Sequence, residues 1–207
     1  VAVTVSGAAS RAQLATIDGL TTGALTYTSI TDTAATLAAN AGGYVSGSVA
    51  VTVSDAASIT QLTTIDGLTT GTVTYTSITD TGAALGANIG GYVTGSVAVT
   101  VSDVQSGVDG VTRLNWTDGY TTGIVTATIS GTASQLVGLS GTGNAYTVTV
   151  TDTASIAQLT TIDGLTTGTV TCTSISDTAA NLAANTSGYI TGSVAVTVSD
   201  AATIAQL

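Results

Sequence analysis

Aspartate is the only acidic residue in this chain of 207 residues, where twelve aspartates face two cations, Arg11 and Arg113. Seven aspartates directly follow Ser or Thr at the end of a strand-like run, and we call them the corner aspartates: Asp32, Asp55, Asp80, Asp103, Asp152, Asp177 and Asp200. A side-chain oxygen at such a corner can accept a hydrogen bond from the free N–H groups that begin a helix. We therefore predict that the corner aspartates are helix N-caps.

Calcium binding is the alternative chemistry for the same carboxylates, because Ca²⁺ prefers oxygen ligands and takes about six to eight of them. The sequence supplies one corner aspartate per repeating unit, with no second acidic ligand close by. Four further aspartates precede Gly, a pattern typical of turns: Asp18, Asp66, Asp118 and Asp163. The sequence therefore assigns no cofactor or metal, and Ca²⁺ at the corner aspartates stays as the alternative.

Residues suited to catalysis are nearly absent from the chain. It contains no His, Lys or Glu, the side chains that most often transfer protons near neutral pH. Cys172, the single cysteine, has no candidate base other than aspartate to activate it as a nucleophile. We predict that the protein is not an enzyme.

A long internal repeat must position all of these residues. The chain divides into copies 1–48, 49–96, a divergent copy 97–145, 146–193 and a partial copy 194–207. Repetition at a fixed period of this size is typical of an array in which each unit packs on its neighbours. We predict a single repeat array over residues 1–207, cut from a longer chain.

Each copy has two related halves of about 24 residues, which we call half-repeats. Alternation of apolar and polar residues over Val97–Val101 predicts a strand. After the corner aspartate, apolar residues three or four apart predict a short helix or 3₁₀ turn: Ile59, Leu62, Ile65 and Leu68 in one half-repeat, Leu85 and Ile89 in the next. A Gly turn follows. We predict a β-rich α/β solenoid in which each half-repeat forms one coil and the coils stack into a parallel sheet. The alternative is an all-β parallel β-helix.

Threonine pairs recur on the predicted strands, for example Thr74 with Thr76 and Thr126 with Thr128. A flat ladder of threonines is a known ice-binding surface in some solenoids. We expect Val97 and Val99 to fall opposite these pairs in alternate coils and to interrupt the ladder. Ice binding is therefore a lesser alternative.

The divergent copy breaks the pattern with four extra residues between Asp103 and Asp118, relative to Asp55–Asp66. Insertions in repeat arrays commonly form outward loops on a binding face. The favoured interpretation is a degenerate repeat whose Trp fills a local gap. The alternative is such a loop, with three residues of the types that dominate binding hot spots as partner-binding candidates: Arg113, Trp116 and Tyr120.

The phrases VTVSDAA and TTIDGLTTGTVTYTSITDT, together with GGYVTGSVAVTVSD, resemble repeats of very large Thr/Ala/Asp-rich surface proteins of bacteria, particularly cyanobacteria. The resemblance covers the chain except the middle of the divergent copy. It implies an extracellular or cell-surface location and a structural or adhesive role. Some such proteins carry the calcium motif GGxGxDxUx, which this sequence lacks.

Charge and hydropathy limit the partners. A net charge of −10 should repel nucleic acid, and no apolar run is long enough to insert in a membrane. Self-association, neighbouring surface proteins and glycans are the expected partners. We predict a structural segment, such as a spacer, stalk, fibre or surface-layer element, of an exported bacterial surface protein. An adhesin-type binding module that uses the divergent copy is the alternative, ahead of ice or calcium binding.

Overall fold

Runs of alternating Val and Thr form the short strands of the molecule. The computed structural model describes residues 1–203, so the last four residues of the partial copy 194–207 lie outside the described residues. The strands are β1 (Val3–Val5), β2 (Leu25–Tyr27), β3 (Ser29–Asp32), β4 (Ala50–Val53), β5 (Val73–Thr74), β6 (Ser77–Asp80), β7 (Ala98–Val101), β8 (Gln105–Ser106), β9 (Val125–Gly131), β10 (Ala145–Val150), β11 (Val170–Cys172), β12 (Ser174–Asp177) and β13 (Ala195–Val198).

Along the described chain, helices alternate with single strands or pairs of strands. The helices are α1 (Arg11–Leu20), α2 (Ala34–Ala39), α3 (Ile59–Leu68), α4 (Gly82–Ala87), α5 (Gly107–Tyr120), α6 (Ala133–Leu136), α7 (Ile156–Asp163) and α8 (Ala179–Ala184). The fold is therefore mixed α/β, and the all-β alternative is wrong. None of these helices, which cover the described part of the chain, is long and apolar enough to cross a lipid bilayer.

Consecutive half-repeats pair their strands in parallel. The register joins residues 21 or 22 positions apart in the regular copies, as in Ile30↔Val51 and Val51↔Val73. The second half-repeat of a copy carries two strand segments: β5 pairs with the strand before it, and β6 pairs with the strand after it. The register shifts by five residues between these two segments. Val73 of β5 pairs with Val51 of the strand before it, whereas Ile78 of β6 pairs with Val99 of the strand after it. The predicted parallel pairing is confirmed, but the strands form four sheets rather than one.

The pleat separates a Val/Ile face from a Thr face. Val51, Val99 and Ile78 are almost completely buried, and they join Leu62 and Leu85 from the helices in one core. Burial of these side chains is the main stabilising term, since each fully buried aliphatic side chain contributes about 1.5–3 kcal/mol relative to exposure.

Threonines pair with threonines on the outer face, so the expected interruption by valine is wrong. Thr52 lies between Thr31 and Thr74, whereas Val99 pairs with Ile78 and Val125. The sequence could not reveal this register, because it depends on the five-residue shift. That shift also limits each column: Thr31, Thr52 and Thr74 form one run of three, and Thr79, Thr100 and Thr126 form another.

The helix prediction is confirmed in its main residues. Ile59, Leu62 and Ile65 are the buried residues of α3, and Leu85 is buried in α4. Ile89 is not a core residue, since 74% of its surface is exposed. It lies beyond Asn88, which ends α4 in the left-handed conformation at φ 42°. The prediction that Gly residues end the helices missed this cap, although Asn also adopts the left-handed conformation at helix ends.

The divergent copy forms a longer helix, so the alternative of an outward loop is wrong. Helix α5 has 14 residues, against 10 in α3, and both begin four residues after a corner aspartate. The four extra residues add about one helical turn, which leaves the buried face in register. Strand β9 is also uninterrupted, and it joins β6, β7, β8, β10 and β11 in one six-stranded sheet.

Candidate functional sites

Each corner aspartate caps a helix of the preceding half-repeat, not the helix that follows it. Asp80 Oδ2 accepts a hydrogen bond of 3.0 Å from the Ile59 N–H, the first residue of α3, while its Oδ1 accepts one of 2.8 Å from the Thr81 N–H. Asp55 Oδ1 accepts from the Ala34 N–H of α2 at 2.7 Å. The predicted role as N-cap of the following helix is therefore wrong, and the carboxylates join successive half-repeats instead.

The same cross-repeat cap recurs at every corner aspartate. The acceptor and the donor residue are 21 positions apart in six cases and 19 in the divergent copy: Asp32 to Arg11, Asp55 to Ala34, Asp80 to Ile59, Asp103 to Gly82, Asp152 to Ala133, Asp177 to Ile156 and Asp200 to Ala179. A negative charge at this place also interacts favourably with the helix dipole.

Ser and Thr are the true N-caps. The side chains of Ser58 and Thr81 accept from the N–H groups of Gln61 and Ala84. In a capping box, Gln61 Oε1 in turn accepts from the Ser58 N–H. Each helix start in a regular copy is therefore served by two side chains, one from its own half-repeat and one from the next. The sequence reasoning assigned both functions to one residue, because Ser or Thr and Asp lie close together in every repeat.

Asp177 shows the electrostatic effect of this arrangement. Its carboxylate accepts hydrogen bonds from the Asn181 side chain and from the backbone of Thr178 and Ile156, and these bonds lower its pKa below the usual aspartate value. Hydrogen bonds to the charged form favour that form, which is the direction expected for a helix cap.

The corner carboxylates do not gather into a cage for a metal. Among residues 1–203, no three acidic, His or Cys side chains lie close enough together to hold an ion. Two half-repeats lack the aspartate: Gly7 stands in its place in the first one, and Gly131 in the second half of the divergent copy. By analogy with the regular copies, an aspartate at position 131 would cap α5, and α5 also lacks a side-chain hydrogen bond from its own N-cap residue, Ser106.

The three partner-binding candidates lie along one face of α5, at spacings of three and four residues. Arg113 lies over Gly86 of α4, and the Tyr120 hydroxyl donates a hydrogen bond of 3.3 Å to the Gly86 carbonyl. Trp116 lies between them in the sequence, with 55% of its surface exposed. Trp116 therefore does not fill an internal gap.

Gly82 in copy two accommodates the divergent copy. A Cβ on Gly82 would collide with the side chain of Gln105, which is 1% exposed. The equivalent pair in the regular copies is Ala34 with Ala57. A larger side chain at 105 is therefore matched by a smaller one at 82. Sequence reasoning missed this pair, whose only signal is an Ala-to-Gly change next to the divergent copy.

A polar cavity of about 370 Å³ also lies in the divergent copy, and sequence reasoning missed it as well. It is bounded by the end of α5, the segment 121–124 that leads to β9, and the loop 141–144 before β10. Asp118 lies at its wall and accepts a hydrogen bond of 2.6 Å from the Asn144 side chain. The signal in the sequence is Ser140–Asn144, SGTGN, which replaces the regular GGYVTGS phrase.

Comparisons with protein families, with curated proteins and with solved structures find no match to this chain.

Proposed function

We propose that the chain is a segment of a solenoid that serves as a spacer, stalk, fibre or surface-layer element of an exported bacterial surface protein. The observation that carries the proposal is the cross-repeat aspartate cap, which joins residues 21 positions apart and recurs once per half-repeat in the regular copies. It ties each helix to the next half-repeat, in addition to the parallel strand pairing. A stack joined in this way transmits load along its axis and can be lengthened without a new core.

The surface chemistry supports a mechanical, non-enzymatic role. Outside the divergent copy the exposed residues are mainly Thr, Ser, Ala and Gly, which bury little area against a partner. Aspartates whose oxygens bind backbone N–H groups act in structure and are poorly placed as proton-transfer groups.

Insertion of an additional copy tests the rod architecture. A second set of residues 1–48 placed before Val49 adds two half-repeats, and strands in a stack lie about 4.8 Å apart. Small-angle X-ray scattering should then show a particle longer by about 10 Å with an unchanged cross-section. An increase in cross-section, or a second independent globule, would reject the solenoid. Labelling of intact source cells with an antibody to the chain should find it on the outer surface.

An adhesin-type module is the second candidate, and the exposed face of α5 favours it. Trp116 is more than half exposed beside Arg113 and Tyr120, and all three belong to residue types that are enriched in hot spots. Trp116→Ala should reduce attachment to cells or to neighbouring surface material at least tenfold while the thermal melt stays unchanged. Ile89→Ala, at an exposed position just beyond the end of α4, is the matched control. Equal attachment by both variants and the unmodified chain would exclude this face.

A further inference from the structure

The cavity beside Asp118 has rigid polar walls. Asn144 is 3% exposed, and its side chain both donates to Asp118 Oδ1 and accepts from the Val125 N–H at 2.9 Å. A Cβ on Gly141 would collide with the Asp118 carboxylate, so only Gly lets the loop approach so closely. Within the described residues, Asp118 Oδ2 accepts no hydrogen bond from the protein and remains free to bind a ligand.

A buried hydroxyl group lies close to the same two side chains. Tyr146 is fully buried, and its hydroxyl is without a hydrogen-bond partner in the described structure. Burial raises the pKa of this phenol, the nearby charge of Asp118 raises it further, and the Asn144 side chain lowers it. Tyr146 is not among the residues that line the cavity. Its hydroxyl therefore lies behind the cavity wall, next to Asp118 and Asn144, and does not contact a ligand in the cavity.

The loop at the edge of the cavity supplies backbone donors. The N–H groups of Gly141, Thr142 and Gly143 bind no protein atom in residues 1–203. Gly141 and Gly143 have φ angles of 81° and 90°, which directs this short loop away from regular pairing. The cavity is therefore lined by a charged acceptor and by a loop with unpaired amides.

We propose that this cavity binds one sugar unit of a neutral glycan. Each sugar hydroxyl can donate to Asp118 and accept from a loop amide, so it uses both kinds of group. An anion would meet the Asp118 charge, and a Ca²⁺ ion would find a single carboxylate and would repel the amide donors. The volume of about 370 Å³ lies within the range of about 300–1,000 Å³ typical of small-ligand sites.

Titration of the full chain with sugars tests the proposal. We would follow ¹H–¹⁵N spectra during addition of glucose, galactose, mannose, rhamnose or N-acetylglucosamine at millimolar concentration. At least one sugar should shift the amides of Gly141, Thr142 and Gly143 in a saturable way. Asp118→Asn should weaken this binding at least tenfold, because a hydrogen bond to a charged acceptor is lost. Asp66→Asn, at the equivalent position of copy two, should leave it unchanged.

Gly141→Ala guards against a misfolded Asp118 variant. Its new methyl group would meet the Asp118 carboxylate inside the cavity, so sugar affinity should fall about fivefold while the amide shifts of the distant strands stay unchanged. The proposal is overturned if no sugar shifts the loop amides, or if either variant binds as tightly as the unmodified chain. It is also overturned if CaCl₂ alone gives the same saturable shifts. The rod architecture does not depend on this result, since it is tested by particle length.

Discussion

At three of the corners, a single carboxylate joins two half-repeats through its two oxygens: Asp32, Asp80 and Asp177. In Asp80, one oxygen binds the backbone of Thr81 and the other binds the start of α3 in the preceding half-repeat. The chemistry was predictable, because the sequence pattern identifies an acceptor for helix N–H groups. The helix that it serves was not predictable, since the choice depends on strand register, and register is set by the five-residue shift between β5 and β6.

Substitution of Asp80 separates the two capping functions. Asp80→Ala and Asp80→Ser should each lower the free energy of unfolding by about 1–2 kcal/mol, because a serine side chain is too short to reach Ile59. Asp80→Asn should retain part of the stability, since its carbonyl oxygen can still accept. Urea denaturation of the full chain measures the effect.

Asp66→Ala is the control for that series, because Asp66 lies on α3 and its side chain makes no hydrogen bond within the described part of the chain. It should change stability by less than about 0.5 kcal/mol. If Asp80→Ser were as stable as the unmodified chain, the aspartate would act on its own helix only, and the cross-repeat cap would contribute nothing.

At the scale of elements, the divergent copy depends on changes in its neighbour. Helix α5 keeps its buried face after a four-residue insertion, because four residues complete about one turn and return Leu114 to the position of Leu62. The sequence analysis considered an irregular repeat or a loop, because it used only the length of the insertion. It did not use the fact that four residues match one turn of a helix. Gly82 and Gln105 then fit together where the regular repeat has two alanines.

A double-mutant cycle tests that fit. Gly82→Ala alone should destabilise the chain by about 1–3 kcal/mol, because the new methyl group meets the Gln105 side chain. Combined with Gln105→Ala, it recreates the Ala34–Ala57 pair and should recover most of the loss. Thermal or urea denaturation gives the coupling energy.

Additive effects in this cycle would contradict the packing described for α4 and α5. Ala34→Gly with Ala57→Gln, the converse exchange in the regular copies, is the matched control. It should be tolerated better as a pair than as either single change.

At the scale of the whole molecule, stability should be graded along the stack. Strand β10 pairs on both sides, and Tyr146, Val148 and Val150 on it are fully buried. Strand β13 pairs only with β12 in the described structure, and all four of its residues are exposed. The repeat, the strands and most helices were predictable from periodicity. The gradient in stability was not, because it depends on β9, which forms one continuous strand in the six-stranded sheet.

Hydrogen exchange measures the gradient directly. Amides of β10 should exchange only through global unfolding, and amides of β13 through local opening at little free-energy cost. Equal exchange rates in the two strands would mean that the array unfolds as one cooperative unit. Mass spectrometry of exchanged peptides from the intact chain resolves the two regions.

The direction of the aspartate caps also sets an order in time. Each capping carboxylate lies 21 residues towards the C-terminus from the helix that it completes in the regular copies. During synthesis, a ribosome needs about 1–4 s to add that length of chain. A helix therefore emerges with its own Ser or Thr cap and waits for its second cap until the following strand has been made. Each half-repeat is completed by its successor, so the array matures from its first residues onwards, one step behind translation.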